Sequence, residues 1–434
     1  MCKRFFGALE GKGYSCKEIG FLLLFFQIYE DGFLKKKISQ TALVLWGATD
    51  LGPPHFSADI LWRTGFKAPD PFFLVDILLD EDDLVDFGKS YLLIGPLELE
   101  RAKKELNIGI EAVNANDYKN KSRGYLENFL KWQGVKKIIV PDTFPCGLKD
   151  KLAKSFEVAL ALAPFYPKRA IKTDWEIGEI EKAQRAVEVA VGKAMDYLRS
   201  CQIMEDRIIY GRELVEEEIV VTSEMLRKII DVKLYQQGYL GIDTIVSCGL
   251  QAADPHCAGS GPLQAYQPIV MDVFPLSMKT HYYADMTRTI FKGEPSQALK
   301  NMYETVRSAQ EMGIRLVRAG IDGETIYNAT LDYFNVHSYP TEIKKCPMEG
   351  FIHGVGHGVG IDIHEPPWVS SIKCILQKGN VVTVEPGLYY HKSYDYPTII
   401  PFGGIRIEDM VLVTKTGCRN LTLFSKDLEN MIIS

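Results

Sequence analysis

The chain has 434 residues, of which 46% are hydrophobic and 24% charged, and its 50 Lys and Arg against 56 Asp and Glu leave a formal net charge of −6. The small net charge argues against a nucleic-acid-binding protein, which needs basic stripes, and the apolar content argues against a disordered chain. At roughly 150 residues per domain, the length predicts two or three domains. The nine cysteines form no CxxC pair, which favours a reducing compartment, so we expect a cytoplasmic protein.

Residues 1–40 are interpreted as an N-terminal extension of unclear role. An apolar run from Ile19 to Tyr29 follows two basic residues, but Glu18 borders it and no small-residue cleavage site comes after it. The run is also far shorter than the ~20 residues that a membrane-spanning helix needs. We therefore expect a docked helix or an upstream segment here, and no membrane association.

Residues 41–165 are predicted to form a compact α/β domain. Short apolar runs bounded by Gly, Pro and Asp are typical of buried strands, and the charged stretches between them suit helices. The strand-like runs are Ala42–Trp46, Phe72–Asp76, Tyr91–Ile94 and Lys137–Val140, and the helix-like stretches are Leu97–Leu106 and Tyr125–Trp132.

A proline-containing linker precedes a second domain, predicted to span 173–434. Thr173 and Glu176 have the spacing of a capping box, and apolar residues follow at helical spacing. Further helices are predicted at about 222–237 and 297–319, each ending before a glycine. With the β-branched runs between and after them, the pattern predicts an α+β fold in which helices are grouped around an antiparallel sheet.

Four acidic residues lie in, or at the end of, apolar strand-like runs of the second domain. They are Asp272, Asp285, Glu385 and Glu408. Any one of them would more often face solvent, but a buried strand carboxylate is costly unless it is paired or binds a metal, and four in one half of the chain favour a site. The strict alternation of Ile405, Arg406 and Ile407 places Arg406 on the same face as Glu408.

Three of the eight histidines, His353, His357 and His364, fall in one segment, GFIHGVGHGVGIDIHEPP. Its alternating glycines are unsuited to a helix and let backbone approach a ligand closely, so this is not a helical zinc pair. A fourth histidine, His256, lies in a turn-rich loop. Carboxylates with one imidazole form an oxygen-rich set that suits Mn²⁺, or Fe²⁺, Co²⁺ or Zn²⁺, and four carboxylates balance two divalent cations.

Five residues in order, and the segments around them, form a recognisable set. The residues are Asp272, Asp285, His357, Glu385 and Glu408, and the segments are ADMTRT, GHGVG, HEPP, VEPG and GIRIED. The set resembles the M24 pita-bread metallopeptidases, the family of methionine aminopeptidase, Xaa-Pro aminopeptidase and prolidase. The resemblance covers about 173–425 strongly and about 41–165 more loosely. It implies a C-terminal pita-bread fold, an N-terminal α/β creatinase-like domain and a homodimer.

The resemblance also implies a role for each of the five residues. Asp285 and Glu408 would bridge two metal ions, Asp272 would complete one site, and His357 and Glu385 would complete the other. The two ions would share a bridging hydroxide that attacks the substrate. Glu385 would carry a proton from the bridging water to the leaving amine, as a general base and then a general acid.

The resemblance also implies roles in substrate binding for four further residues. His364 would hydrogen-bond the scissile carbonyl region, and His256 would position the substrate backbone. Arg406 would orient the acidic cluster or an approaching substrate carboxylate. His353 resembles the histidine that proline-specific members place against the residue after the cut. Proline has no N–H and a fixed φ, so a dedicated site is needed, and we expect Xaa-Pro peptides as substrates.

Three questions stay open at this point. Asp272 and Asp285 are 13 positions apart, where the common family hairpin has two fewer residues between them, so either a longer loop or a mispaired register follows. The chain could also be a metal-free pita-bread homologue acting as a binding protein, or a creatinase-like amidinohydrolase, although both normally lose ligands that are present here. The choice between an aminopeptidase and a dipeptidase is not decided by the sequence.

Overall fold

The computed structural model describes residues 40–50, 55–80, 83–120, 124–162, 164–211, 219–391 and 401–434. These residues divide into two compact units, the first ending at Tyr166 and the second beginning at Pro167. The N-terminal extension lies outside the described residues except for Gln40. Its role and the assignment of domains 41–165 and 173–434 therefore stay predictions.

A six-stranded mixed sheet forms the centre of the first unit. The strands are β1 (Thr41–Gly47), β2 (Phe72–Asp80), β3 (Asp83–Ile94), β4 (Ile110–Asn114), β5 (Lys137–Pro141) and β6 (Glu157–Ala161), and they lie in the order β4-β3-β2-β1-β5-β6. The helices described in this unit are α1 (Ala58–Thr64), α2 (Pro96–Glu105), α3 (Tyr125–Trp132) and α4 (Cys146–Leu152). Successive β1 side chains point to opposite faces, so Ala42 and Val44 join one buried core while Leu43 and Leu45 join another. Burial on both faces explains the continuous apolar runs.

The strands and helices predicted for the first unit are confirmed, but α1 and α4 were not predicted. Both have seven residues, which is too short for a helical period to stand out. The signal for α1 is its N-cap, because the Ser57 side chain accepts a hydrogen bond from the Ile60 N–H at 3.3 Å.

The second unit begins with its longest helix. Its helices are α5 (Asp174–Arg199), α6 (Ser223–Gln236), α7 (Gln297–Leu316), α8 (Gly323–Val336) and α9 (Leu428–Met431). The capping box of α5 is confirmed, since Glu176 N–H donates to Thr173 Oγ1 while Thr173 N–H donates to the Glu176 carboxylate at 2.7 Å. The predictions at 222–237 and 297–319 are also confirmed, whereas α8, capped by Asp322, was missed.

Strands of the second unit form several small sheets, the largest in the orders β16-β15-β17-β20-β21 and β11-β12-β14-β22. The strands are β7 (Gln202–Met204), β8 (Arg207–Tyr210), β9 (Ile219–Val220), β10 (Tyr239–Leu240), β11 (Ile245–Cys248), β12 (Ile269–Val273), β13 (Leu276–Ser277), β14 (Met286–Lys292), β15 (Gly356–Gly358), β16 (Glu365–Val369), β17 (Val381–Val384), β18 (Gly387–Tyr390), β19 (Gly403–Arg406), β20 (Asp409–Val413), β21 (Cys418–Asn420) and β22 (Ile432–Ile433). Their pairings are antiparallel except between β14 and β22. None of the helices in the described ranges is both long enough and apolar enough to cross a bilayer.

Candidate active site and metal centre

The ends of several strands carry the five predicted metal ligands to one cavity. Asp272 lies in β12, Asp285 directly precedes β14, and His357 is the middle residue of β15. Glu385 directly follows β17, and Glu408 lies between β19 and β20. Because β12 pairs with β14, and β17 pairs with both β15 and β20, all five side chains line a cavity of about 380 Å³.

Four of these side chains are close neighbours. One ligand atom each from Asp285, His357 and Glu408 lies within 4.8 Å of the others. His357 Nε2 is 3.1 Å from Glu385 Oε1 and 3.7 Å from Asp285 Oδ2. The cavity floor therefore holds three carboxylates around a single imidazole.

Three carboxylate oxygens of this cavity are buried without a hydrogen-bond partner in the described part of the chain. They are Asp272 Oδ1, Asp285 Oδ1 and Glu408 Oε1. Buried polar atoms are nearly always paired, so unpaired ones point to a group that binds there. Carboxylate oxygens with one imidazole are ligands of hard divalent cations, which would also offset the mutual repulsion of the acids. The residues present therefore fit a divalent metal centre.

The acids of the cavity affect one another's ionisation. Burial raises the pKa of Asp285 well above its usual range, and the charges of Glu408 and Asp272 raise it further. Burial likewise raises the pKa of Glu408, with contributions from Glu385 and Asp272. Closely spaced, buried carboxylates cannot all ionise cheaply unless a cation is bound among them.

Glu385 and His357 have the opposite relation, because their charges attract. Burial acts to raise the pKa of Glu385, but the hydrogen bond and charge of His357 outweigh burial and lower this pKa to about 2. Burial acts to lower the pKa of His357, and the hydrogen bond and charge of Glu385 prevail and raise it. His357 Nδ1 lies 3.1 Å from the Gly358 carbonyl oxygen, which can only accept, so Nδ1 carries a proton and Nε2 faces the acids.

Two buried threonines support the acids and were not singled out from the sequence. Thr287 Oγ1 donates to Glu408 Oε2 at 2.8 Å. Thr383 Oγ1 donates to Glu385 Oε1 at 3.1 Å and accepts the His357 N–H at 3.0 Å. Thr287 lies two positions after Asp285, and Thr383 lies two positions before Glu385. Side-chain alternation along a strand is therefore the signal that could have indicated them.

A buried hydrogen-bonded chain joins His353 to Asp272. Tyr389 Oη lies 2.8 Å from both His353 Nε2 and Arg406 Nη1, and Arg406 Nη2 lies 2.7 Å from Asp272 Oδ2. Burial raises the pKa of Tyr389 to about 12, although the charge of Arg406 acts to lower it. Tyr389 was missed from the sequence. No local pattern signals it, because its hydrogen-bond partners lie 36 and 17 positions away in the chain.

His364 and His256 line the same cavity, as His353 and Arg406 do. The His364 ring packs edge-on against that of His357, with centroids 4.3 Å apart. Burial lowers the pKa of His364, and the charge of His357 lowers it further. His256 is held through its backbone, whose N–H donates to Asp254 Oδ1 at 2.9 Å. The structure thus brings every residue of the sequence-predicted site to one cavity.

The longer spacing between Asp272 and Asp285 is accommodated within the hairpin loop. The register of β12 with β14 is continuous and places Asp272 opposite Thr287. The intervening residues form β13, which pairs with β10, followed by a turn in which His281 has a φ of 61°. The alternative of a mispaired register is therefore wrong.

Known proteins resemble this chain in sequence and in fold. The sequence profile of Metallopeptidase family M24 matches residues 178–415. An Xaa-Pro dipeptidase of Pyrococcus horikoshii is 30% identical over 347 residues, which are 79% of this chain and 86% of that protein. The crystal structure of the prolidase from Pyrococcus horikoshii has a TM-score of 0.68 at 25% identity and covers 92% of this chain and 97% of its own.

A second solved structure, an Xaa-Pro dipeptidase from Bacillus anthracis, has a TM-score of 0.70 at 23% identity and covers 93% of this chain and 97% of its own. These likenesses confirm the predicted α+β pita-bread fold with an N-terminal α/β creatinase-like domain. With more than half of the chain matched by the family profile, the chain belongs to metallopeptidase family M24.

Proposed function

We propose that this chain is a metal-dependent exopeptidase that hydrolyses the bond between an N-terminal residue and proline. One observation carries the proposal: three buried carboxylate oxygens that have no hydrogen-bond partner among the described residues share a cavity with His357 and three further histidines. Similar proteins are an Xaa-Pro dipeptidase and a prolidase. A metal-free binding protein and a creatinase-like amidinohydrolase are not favoured, because all five expected ligands line one cavity.

The residues proposed to hold the metal ions are Asp272, Asp285, His357, Glu385 and Glu408. When bound, two divalent cations polarise the scissile carbonyl and lower the pKa of the attacking water. We propose Mn²⁺ as the preferred ion, with Co²⁺, Fe²⁺ and Zn²⁺ as alternatives, because four carboxylates outnumber the single imidazole.

Proton transfer is assigned to Glu385. Its carboxylate lies 3.1 Å from His357 among the proposed metal ligands, so it is placed to accept the proton of the attacking water and then to donate it to the leaving proline nitrogen. His364 is kept neutral by burial and donates a hydrogen bond to the carbonyl oxygen, where negative charge develops. His256 positions the substrate backbone from its loop at the cavity edge.

Recognition of proline is assigned to His353. Its Nδ1 lies 2.7 Å from the Gly354 carbonyl oxygen and its Nε2 2.8 Å from Tyr389 Oη, so both ring nitrogens are engaged. The ring is thereby fixed, and its face can pack against a pyrrolidine ring that has no N–H to bind. Arg406 orients the acidic cluster rather than a substrate carboxylate, because its guanidinium already bonds Asp272 and Tyr389.

The test is a hydrolysis assay with an Xaa-Pro peptide, using protein loaded with Mn²⁺ and protein treated with a chelator. Loaded protein is expected to cleave the peptide, and the chelator and His357→Ala are each expected to abolish cleavage. His337→Ala is the matched control, because this exposed histidine stacks on Tyr333 away from the cavity. If loaded protein cleaves no Xaa-Pro peptide, or if His357→Ala retains full activity, the proposal fails.

Three finer points are kept as proposals. Similar proteins named dipeptidases make Xaa-Pro dipeptides the first substrates to assay, and a comparison with Xaa-Pro-Yaa peptides separates a dipeptidase from an aminopeptidase. The homodimer rests on the family resemblance and is tested by sedimentation. The cytoplasmic location rests on the nine unpatterned cysteines.

A further inference from the structure

A compact group of charges lies behind the cavity wall and has no part in the mechanism above. Arg169, Lys172 and Glu365 are 4%, 5% and 3% exposed, respectively. Arg169 Nη2 is 2.7 Å from Glu365 Oε2, and Lys172 Nζ pairs with the other carboxylate oxygen of Glu365. Lys172 Nζ also donates to the Arg169 carbonyl oxygen at 3.0 Å. Both carboxylate oxygens of Glu365 are therefore bound by cations.

Arg169 holds a second carboxylate at the same time, because its Nη2 also pairs with Asp362. Only two residues, Ile363 and His364, separate Asp362 from Glu365, and both line the cavity. One guanidinium thus binds both ends of a four-residue segment whose two middle residues line the cavity. Both contacts are made by the same guanidinium nitrogen, Nη2, whose two N–H groups can donate to the two carboxylates at once.

The backbone around this segment is built to admit the Glu365 side chain. Glu365 opens β16 and pairs with Gly358, the residue after His357. At Gly360 an added Cβ would lie 2.6 Å from a Glu365 carboxylate oxygen, so a side chain there would displace the ion pair. Glu365 directly follows His364 in the chain, so fixing the Glu365 carboxylate also fixes the backbone next to His364.

We propose that Arg169, supported by Lys172, is a positioning residue that holds His364 in its catalytic orientation against His357. The inference rests on the proposed function, since it assigns His364 to the scissile carbonyl. Arg169 itself does not line the cavity. Its effect passes through Asp362 and Glu365, which fix the segment that carries His364.

A purely structural role is the competing explanation, because removing one partner from a buried ion pair destabilises most proteins. The two roles differ in their dependence on His364. A positioning residue loses its effect on catalysis when His364 is absent, whereas a structural residue lowers activity in either background.

The experiment measures kcat and KM for an Xaa-Pro peptide in Mn²⁺-loaded enzyme, with metal content determined in parallel. Arg169→Gln is expected to lower kcat roughly 10- to 100-fold with metal content unchanged. Arg169→Lys, which keeps the positive charge but not the guanidinium group, is expected to restore part of that loss. In the His364→Ala background, Arg169→Gln is expected to have no further effect on kcat. Arg63→Gln is the matched control, since it removes the cation paired with buried Asp76 in the first unit.

Loss of metal in Arg169→Gln, an unchanged kcat, or an equal fall in the His364→Ala background would each overturn the inference. If Arg169→Gln does not fold, Asp362→Asn takes its place, because the Asp362 side chain is 45% exposed and its loss leaves the buried pair intact. Asp362→Asn is then expected to lower kcat only when His364 is present, and a fall in both backgrounds rejects the positioning role. Wild-type enzyme that cleaves no Xaa-Pro peptide rejects the proposed function instead.

Discussion

Replacement of Asp285 by asparagine is expected to stabilise the metal-free protein and to remove most of the stabilisation that a bound metal provides. In the metal-free protein, the Asp285 carboxyl is buried beside Glu408, and one oxygen of each has no hydrogen-bond partner in the part of the chain that the structure describes. An asparagine amide removes the repulsion and can donate to Glu408. An unsatisfied buried polar group costs about 1–3 kcal/mol, so metal-free Asp285→Asn is expected to gain about that much unfolding free energy.

In the presence of metal, the variant is expected to gain far less stability from the ion than the wild-type protein does. A cation at 100 times its dissociation constant stabilises the folded state by about 2.7 kcal/mol, and the variant loses most of this because a ligand is gone. At roughly 2–4 °C per kcal/mol, the wild-type melting temperature should rise by about 5–11 °C with Mn²⁺ while that of the variant changes little. Thermal unfolding with and without chelator measures both effects.

The same variant has a defined pH signature in the metal-free protein. The pKa values of Asp285 and Glu408 are raised in the folded state, so the unfolded chain releases these protons first. The contribution of these two groups to stability is therefore fully present below the ordinary carboxyl pKa and is lost as the pH rises through the raised values. Asp285→Asn removes one of the two contributions, and the fall with pH should become shallower.

The control for this prediction is Asp231→Asn. Burial raises the pKa of Asp231, but this carboxylate accepts a hydrogen bond from Thr244 Oγ1 at 2.7 Å and lies outside the cavity. Its replacement should change the melting temperature equally with and without metal. If Asp285→Asn destabilises the protein by the same amount with and without metal, the carboxylates do not repel one another in the metal-free protein and the reasoning is refuted.

Three further predictions concern the hydrogen-bonded groups of the cavity. Tyr389→Phe leaves His353 Nε2 and Arg406 Nη1 without their shared hydrogen-bond partner. Denaturant titration should show a loss of about 1–3 kcal/mol of unfolding free energy for each group, and unchanged stability would contradict this prediction. His353→Ala is expected to raise KM for Xaa-Pro peptides about 10-fold with metal content unchanged, and equal KM values in steady-state kinetics would speak against its role. Metal binding needs neutral His357, whose pKa is raised by Glu385. The affinity for Mn²⁺ should therefore fall about tenfold for each pH unit below that raised pKa. Calorimetry that shows a pH-independent affinity would count against this prediction.

The chemistry of the site could be predicted from the sequence because it depends on residue type and local pattern. Burying a carboxylate without a partner costs free energy, and the apolar neighbours of Asp272, Asp285 and Glu408 in the sequence indicate this cost before any contact is known. The capping box at Thr173 and Glu176 is equally local, since its two hydrogen bonds join residues three positions apart.

The supporting residues could not be predicted, because their partners lie far along the chain. Tyr389 became part of the site only when the pairing of β18 with β19 placed its hydroxyl beside Arg406. Arg169 reaches a carboxylate 196 positions away, and no period or spacing signals such a contact. The short helix α1 was missed for a related reason, since seven residues are stabilised by packing more than by their own pattern.

The sequence by itself determined which atoms could bind a metal, in what order they occur and which family they indicate. The tertiary structure decided which of them share a cavity, which carboxylate oxygens lack a partner and in which direction each pKa moves. The physical reason is that side-chain chemistry and local propensity belong to each residue, whereas desolvation and charge–charge interaction depend on distances set by strand register. That is why Glu385 and Glu408, both acids at strand ends, have pKa values shifted in opposite directions.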